Sequence, residues 1–160
     1  MHAWELMTPT AMNCLPTTSC AVIAQVMRRR RSGFVVIVDG VKTRQVVGVV
    51  TARDIVRLLV RLDEPASRIA VSRCMTRAPA TIPSGADLKL AVQVMKETAV
   101  SRLPVLDAGK LVGVLALSDM ALASRQQWAY VGAQVSEEHI TDVVAAIASA
   151  RGVAQARGRR

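Results

Sequence analysis

An α+β fold, with two copies of one helix–strand–strand–helix unit followed by a further C-terminal helix, is what this 160-residue sequence predicts. The first observation behind it is a duplication. Met7-Thr8, Gln25-Val26-Met27 and Asp39 return as Met75-Thr76, Gln93-Val94-Met95 and Asp107, each after 68 residues. Val47-Gly48-Val49 and Asp54 return as Val112-Gly113-Val114 and Asp119 after 65. The slip of three falls between Gly40 and Val46, where a turn absorbs it, and register kept over a whole unit means a duplicated structure. The second observation is that the hydrophobic period switches in the same order in each copy, from helical to extended and back.

In the first copy, residues 18–30 read as a helix with Val22, Ile23, Val26 and Met27 inward. Strands follow at 34–38 and 46–50, β-rich and separated by Asp39-Gly40, and a helix at 52–61 closes the unit. Pro65 and Ser67 mark the connection. The second copy repeats the order: a helix at 86–98 with Leu90, Val94 and Met95 inward, strands at 103–106 and 111–115 around Asp107-Ala108-Gly109, and a helix at 117–124. The expected domains are residues 1–64, 65–124 and a C-terminal extension, 125–160. In that extension Ser136 is a good N-cap, Glu137 and Glu138 suit a helix N-terminus, and Ile140, Val143, Val144 and Ile147 make an apolar stripe ending before Gly152. Each copy has only about fifty residues of structure, too few for a comfortable core alone, so the halves are expected to pack together.

Apolar residues make up 51% of the chain and aromatics 2%, so the core must be built from Val, Leu, Ile, Ala and Met. No apolar run approaches the roughly 20 residues that span a bilayer. The N-terminal segment also lacks the pattern of a secretory signal. Three cysteines, Cys14, Cys20 and Cys74, show no metal-ligand spacing and suit a reducing cytoplasm, where they serve as small buried apolar residues. The net charge of +9 is concentrated in Arg28–Arg31 and in Arg151, Arg157, Arg159 and Arg160. Without zinc-finger spacing or an aromatic RNA-binding motif, this charge reads as a solvated helix end and tail, or as a phosphate path beside the first strand, rather than as base readout.

Gly48-Val49-Val50-Thr51-Ala52-Arg53-Asp54 is the sharpest local feature. Thr51 stands where a strand gives way to a helix, and Asp54 lies in the first turn. A hydroxyl, a carboxylate and unpaired helix N–H groups are thereby brought together, able to meet ribose hydroxyls and a phosphate. Thr-x-x-Asp is equally a capping-box variant, worth about 1 kcal/mol with no ligand at all. His2 and His139 lie outside the repeats and have no nucleophile near them in sequence, so catalysis is not expected.

The duplicated order of a Met-Thr segment, a helix, a strand ending in Asp, and Gly-h-h-Thr-x-x-Asp (h, apolar) resembles the cystathionine-β-synthase-type, or CBS, domain pair. The residues carrying the likeness are GVVTARD in the first copy, and Ser101-Arg102-Leu103-Pro104-Val105-Leu106-Asp107 with Gly113-Val114-Leu115 in the second. The resemblance implies two β-α-β-β-α repeats packed with pseudo-twofold symmetry. It also implies clefts that bind AMP, ADP, ATP or S-adenosylmethionine as a regulatory ligand. The implied first site comprises Thr10, Met12, Gly33, Phe34, Thr51, Arg53 and Asp54. The implied second site comprises Pro79, Ala80, Ser101, Arg102 and Asp119. Ala116 replaces the second motif threonine and Ser118 the arginine, so the second site is expected to be weaker or vacant.

The expectation is a non-catalytic, cytoplasmic module with no required cofactor or metal. It would sense an adenosine-containing ligand, act on a regulated protein, and form a homodimer through closing helices bearing Ile55, Val56, Leu58, Leu59 and Leu62. Two alternatives are a ligand-free dimerisation scaffold and weak nucleic-acid binding through the basic tail.

Overall fold

The computed structural model describes residues 1–130. Its elements are α1 (Ala3–Leu6), β1 (Thr8–Pro9), β2 (Asn13–Cys14), α2 (Cys20–Arg30), β3 (Phe34–Val38), β4 (Val46–Thr51) and α3 (Ala52–Arg61). After a 3-10 turn at Val71–Arg73 come β5 (Thr76–Arg77), β6 (Ile82–Pro83), α4 (Leu88–Thr98), β7 (Arg102–Asp107), β8 (Lys110–Ala116) and α5 (Leu117–Tyr130). The expected helix from Ser136 lies outside the described residues.

Contacts group the chain into two compact units. One holds Thr10–Pro79 with Ala108–Leu111, and the other holds Met1–Pro9, Ala80–Asp107 and the chain from Val112. The first contains the sheet β2-β3-β4-β5 and the second the sheet β1-β8-β7-β6. β1 pairs antiparallel with β8 (Thr8 opposite Val114), and β5 pairs antiparallel with β4 (Thr76 opposite Val49). These two pairings are equivalent under the 68- and 65-residue intervals. The Met-Thr segment of each copy therefore completes the sheet built by the other copy.

Glycine makes that pairing possible. A Cβ on Gly48 would stand 2.8 Å from Met75 Sδ and 3.0 Å from the Thr76 carbonyl oxygen; on Gly113 the corresponding distances, to Met7 Sδ and Thr8 O, are 2.5 and 2.9 Å. Methionine and glycine recur together because the thioether lies where a side chain would be. The backbone repeats as faithfully: left-handed residues occur at Thr10 and Ala78, at Arg31 and Ala99, and at Arg44 and Gly109.

Each sheet has its own core. In the Thr10–Pro79 unit, Cys20, Ile23 and Met27 of α2 and Ile55 and Leu58 of α3 pack with Val35, Ile37, Val50, Ile69 and Val71. In the other, Ala91 and Met95 of α4 and Leu117 and Met120 of α5 pack with Leu103, Val105 and Leu115. All five residues of β3 are buried, so both of its faces are covered.

The helix faces differ from expectation. Val22 is 49% exposed and Leu90 45%, while Cys20 and Ala91 are fully buried. The buried face of α2 is formed by Cys20, Ile23 and Met27 and that of α4 by Ala91 and Met95, so Ile23, Met27 and Met95 lie inward as expected. The face proposed for self-association also changes. Ile55 and Leu58 are buried, and Leu59 and Leu62 pack against the same core, so the apolar residues of α3 mainly serve their own unit. Val56 and Val60 remain outside, 58% and 83% exposed.

The three thiols are free, and all belong to the core of one unit. Burial pushes Cys14 up to about 11 and Cys74 up to about 12, the latter also through its neighbour Cys20. Both therefore stay protonated at neutral pH. Alkylation by iodoacetamide at pH 8 should be more than roughly tenfold slower in the folded protein than in urea. Equal rates in the two states would contradict this packing.

Candidate functional site

The seven residues of the expected first site all belong to the Thr10–Pro79 unit, and the strand register brings them to one end of its sheet. β2 runs parallel to β3, with Asn13 opposite Val36, and the Met12 carbonyl accepts the Val36 N–H at 2.9 Å. Thr10–Met12 and Gly33-Phe34 thus enter the sheet side by side. β4 runs the other way, with Thr51 opposite Phe34, so α3 begins at that same end. The Gly33 carbonyl accepts the Ala52 N–H at 3.0 Å, binding the first residue of α3 to the start of β3.

Thr51 and Asp54 form a complete capping box. Thr51 Oγ1 accepts the Asp54 N–H at 3.2 Å, and Asp54 Oδ2 accepts the Thr51 N–H at 2.9 Å and the Thr51 hydroxyl at 2.6 Å. Both residues are only partly buried. A hydroxyl has one proton to give, and that of Thr51 is committed to Asp54. Among the described residues no hydrogen bond reaches Asp54 Oδ1, and none is made by the Arg53 N–H. Arg53 itself is exposed. The arrangement therefore offers a carboxylate oxygen for a hydroxyl, and beside it a helix N–H and a guanidinium for an anion.

The second set lies differently. Ala80, Ser101, Arg102 and Asp119 belong to the other unit, while contacts assign Pro79 to the Thr10–Pro79 unit. The Ser101 carbonyl accepts the Leu117 N–H at 2.9 Å, mirroring Gly33 and Ala52. Asp119 Oδ2 accepts the Ala116 N–H at 3.3 Å, and the Ser118 hydroxyl donates to Oδ1 at 3.4 Å. Ala116 is buried and has no hydroxyl, so the box is half formed. Both oxygens of Asp119 have partners where Asp54 keeps one oxygen open.

Among the described residues no group of three His, Cys, Asp or Glu could hold a metal ion. Likewise no helix is long and apolar enough to cross a membrane. Among the described residues the His2 ring hydrogen-bonds only with Glu5, in the short N-terminal helix, its Nδ1–H donating to Glu5 Oε1 at 3.1 Å. The capping box expected from Thr-x-x-Asp is formed, and what the motif alone does not show is that the Thr51 hydroxyl proton is given to Asp54.

Comparison with known proteins agrees with the repeat. A family model described as the CBS domain matches residues 3–61 and 71–125. An uncharacterized protein of Methanopyrus kandleri is 29% identical over 124 residues, spanning 77% of this chain and 60% of its own. Among solved structures, CBSX2 in complex with AMP is 27% identical with a TM-score of 0.68, covering 79% of this chain and 97% of that one. The domain pair of protein MJ0100, solved with 5′-methylthioadenosine and S-adenosyl-L-methionine, is 18% identical, with a TM-score of 0.69 and coverage of 79% and 98%. That last likeness is one of fold.

Proposed function

The chain belongs to the CBS domain family, and we propose that it is a non-catalytic regulatory module whose first site, around Asp54, binds a phosphorylated adenosine. The observation that carries this reading is the open Oδ1 of Asp54 beside the N-terminus of α3. In it, Oδ1 accepts a ribose hydroxyl, and Arg53 holds the phosphate through its N–H and guanidinium. The base lies against the main chain at Thr10–Met12 and Gly33-Phe34. The AMP bound by CBSX2 supports the ligand class. The Asp119 site, with Ala116 in place of a threonine and its carboxylate already partnered, is the weaker of the two.

Ligand binding shifts an equilibrium only by its difference in affinity for two states, so the output lies in a partner protein or in assembly. A homodimer belongs to the same reading, supported by exposed Val56 and Val60. Cytoplasmic residence is supported by three free thiols.

A thermal-shift series with AMP, ADP, ATP and S-adenosylmethionine tests the proposal. Ligand at 100 times its dissociation constant should add about 2.7 kcal/mol of stability. A flat response to all four would favour a ligand-free scaffold.

A further inference from the structure

Charge divides unevenly between the two units. Residues 10–79 and 108–111 carry thirteen Lys and Arg against four Asp and Glu, a net of +9. Residues 1–9, 80–107 and 112–130 carry four against five, a net of −1. Among residues 1–130 the net positive charge therefore sits in the unit that contains the Asp54 site.

Within that unit the two signs are sorted along the sheet. Asp39 follows the far end of β3, and Asp63 and Glu64 follow the far end of α3, roughly 15 Å of helix from its start. Only Asp54 stands at the end where Gly33 and Thr51 meet. Arg28, Arg29, Arg30 and Arg31 arrive at that same end, because α2 runs directly into β3. Arg31, left-handed at φ 50°, is two residues before Gly33, so their Cα atoms lie within about 8 Å. All four are exposed, and among the described residues none of them, nor Arg53, forms an ion pair.

The helix dipole accounts for only part of this cluster. Positive charge is favourable in the last turn of α2, but Arg53 occupies the first turn of α3, where it is unfavourable. Five guanidinium groups gathered with one carboxylate repel one another and attract an anion of several charges.

We propose that this edge selects adenosine ligands bearing more than one phosphate and disfavours the cationic, sulfonium-bearing adenosyl class. The inference rests on the nucleoside reading of the Asp54 site. The phosphate nearest the ribose meets Arg53 and the start of α3; further phosphates extend toward Arg28–Arg31, which an AMP leaves unused.

Calorimetric titration of AMP, ATP and S-adenosylmethionine into the full chain tests it, at about 50 mM and about 500 mM salt, where screening lengths differ severalfold. The same ligands are titrated into a variant carrying Arg28→Gln, Arg29→Gln, Arg30→Gln and Arg31→Gln, its fold checked by thermal melting. An exposed arginine contributes a factor of roughly 1.5 to 5. ATP is therefore expected to bind about tenfold more tightly than AMP at low salt, and S-adenosylmethionine most weakly. The ATP advantage should shrink to within about threefold at high salt and in the variant. Equal affinities for AMP and ATP, an advantage unchanged in the variant, or tightest binding of S-adenosylmethionine would overturn the selectivity. The underlying nucleoside reading fails separately if none of the three binds, or if Asp54→Ala leaves every affinity unaltered.

Discussion

Gly113→Val is expected to destabilise the protein by about 3 kcal/mol and Gly48→Val by about 2, the upper part of the range for overpacked sites. A Cβ at Gly113 stands 2.9 Å from the Thr8 carbonyl oxygen as well as 2.5 Å from Met7 Sδ. A thioether can swing aside. The carbonyl cannot, because Thr8 is held opposite Val114 in the sheet. A branched side chain must then separate β1 from β8, exposing Met7 and the adjacent core. Gly48 has the same relation to Met75 and Thr76 at slightly longer distances, hence the smaller effect. Urea unfolding midpoints measure both losses. Shortening the methionine tests the cause: Met7→Ala should be less harmful in a Gly113→Ala background than in the wild type. Changes within about 0.5 kcal/mol of wild type at both glycines would contradict the packing of the Met-Thr segments.

Asp54→Ala is expected to weaken binding of a phosphorylated adenosine by roughly 10- to 150-fold, the worth of a hydrogen bond to a charged group. It should also lower stability by about 1 kcal/mol, since the carboxylate closes the cap of α3 through Oδ2. The two losses separate in Thr51→Ala, which removes the hydroxyl that accepts the Asp54 N–H but leaves the carboxylate in place. That variant should show the stability loss with a smaller loss of affinity. Asp119→Ala should leave the tighter binding step within about threefold of wild type. Were Asp54→Ala to bind as wild type while unfolding more easily, the aspartate would be a cap and nothing more. The comparison is informative because one side chain has two oxygens with different partners.

Much of this was legible before any coordinates. β3, at residues 34–38, and α3, at 52–61, have the bounds read from sequence. An uninterrupted β-branched run and a Thr-x-x-Asp start signal each leave little freedom. The helix faces were not legible in the same way. Helical spacing places Ile23, Met27 and Met95 inward, as they are, but counting large aliphatics also puts Val22 and Leu90 inside, whereas the buried positions beside them are Cys20 and Ala91. The exchange of Met-Thr segments between sheets was also hidden. A two-residue strand has no period to read, and its partners, Val114 for Thr8 and Val49 for Thr76, are distant in the chain. At the candidate site the residue types pointed to a polar cleft, but only geometry separates Asp54, with one oxygen open, from Asp119, with both engaged.

Calorimetric titration of the wild-type chain with AMP bears most directly on the central claim. The account predicts one saturable step of one equivalent per chain, with any second step at least about tenfold weaker. Absence of binding, or two equivalents of equal affinity, would contradict it.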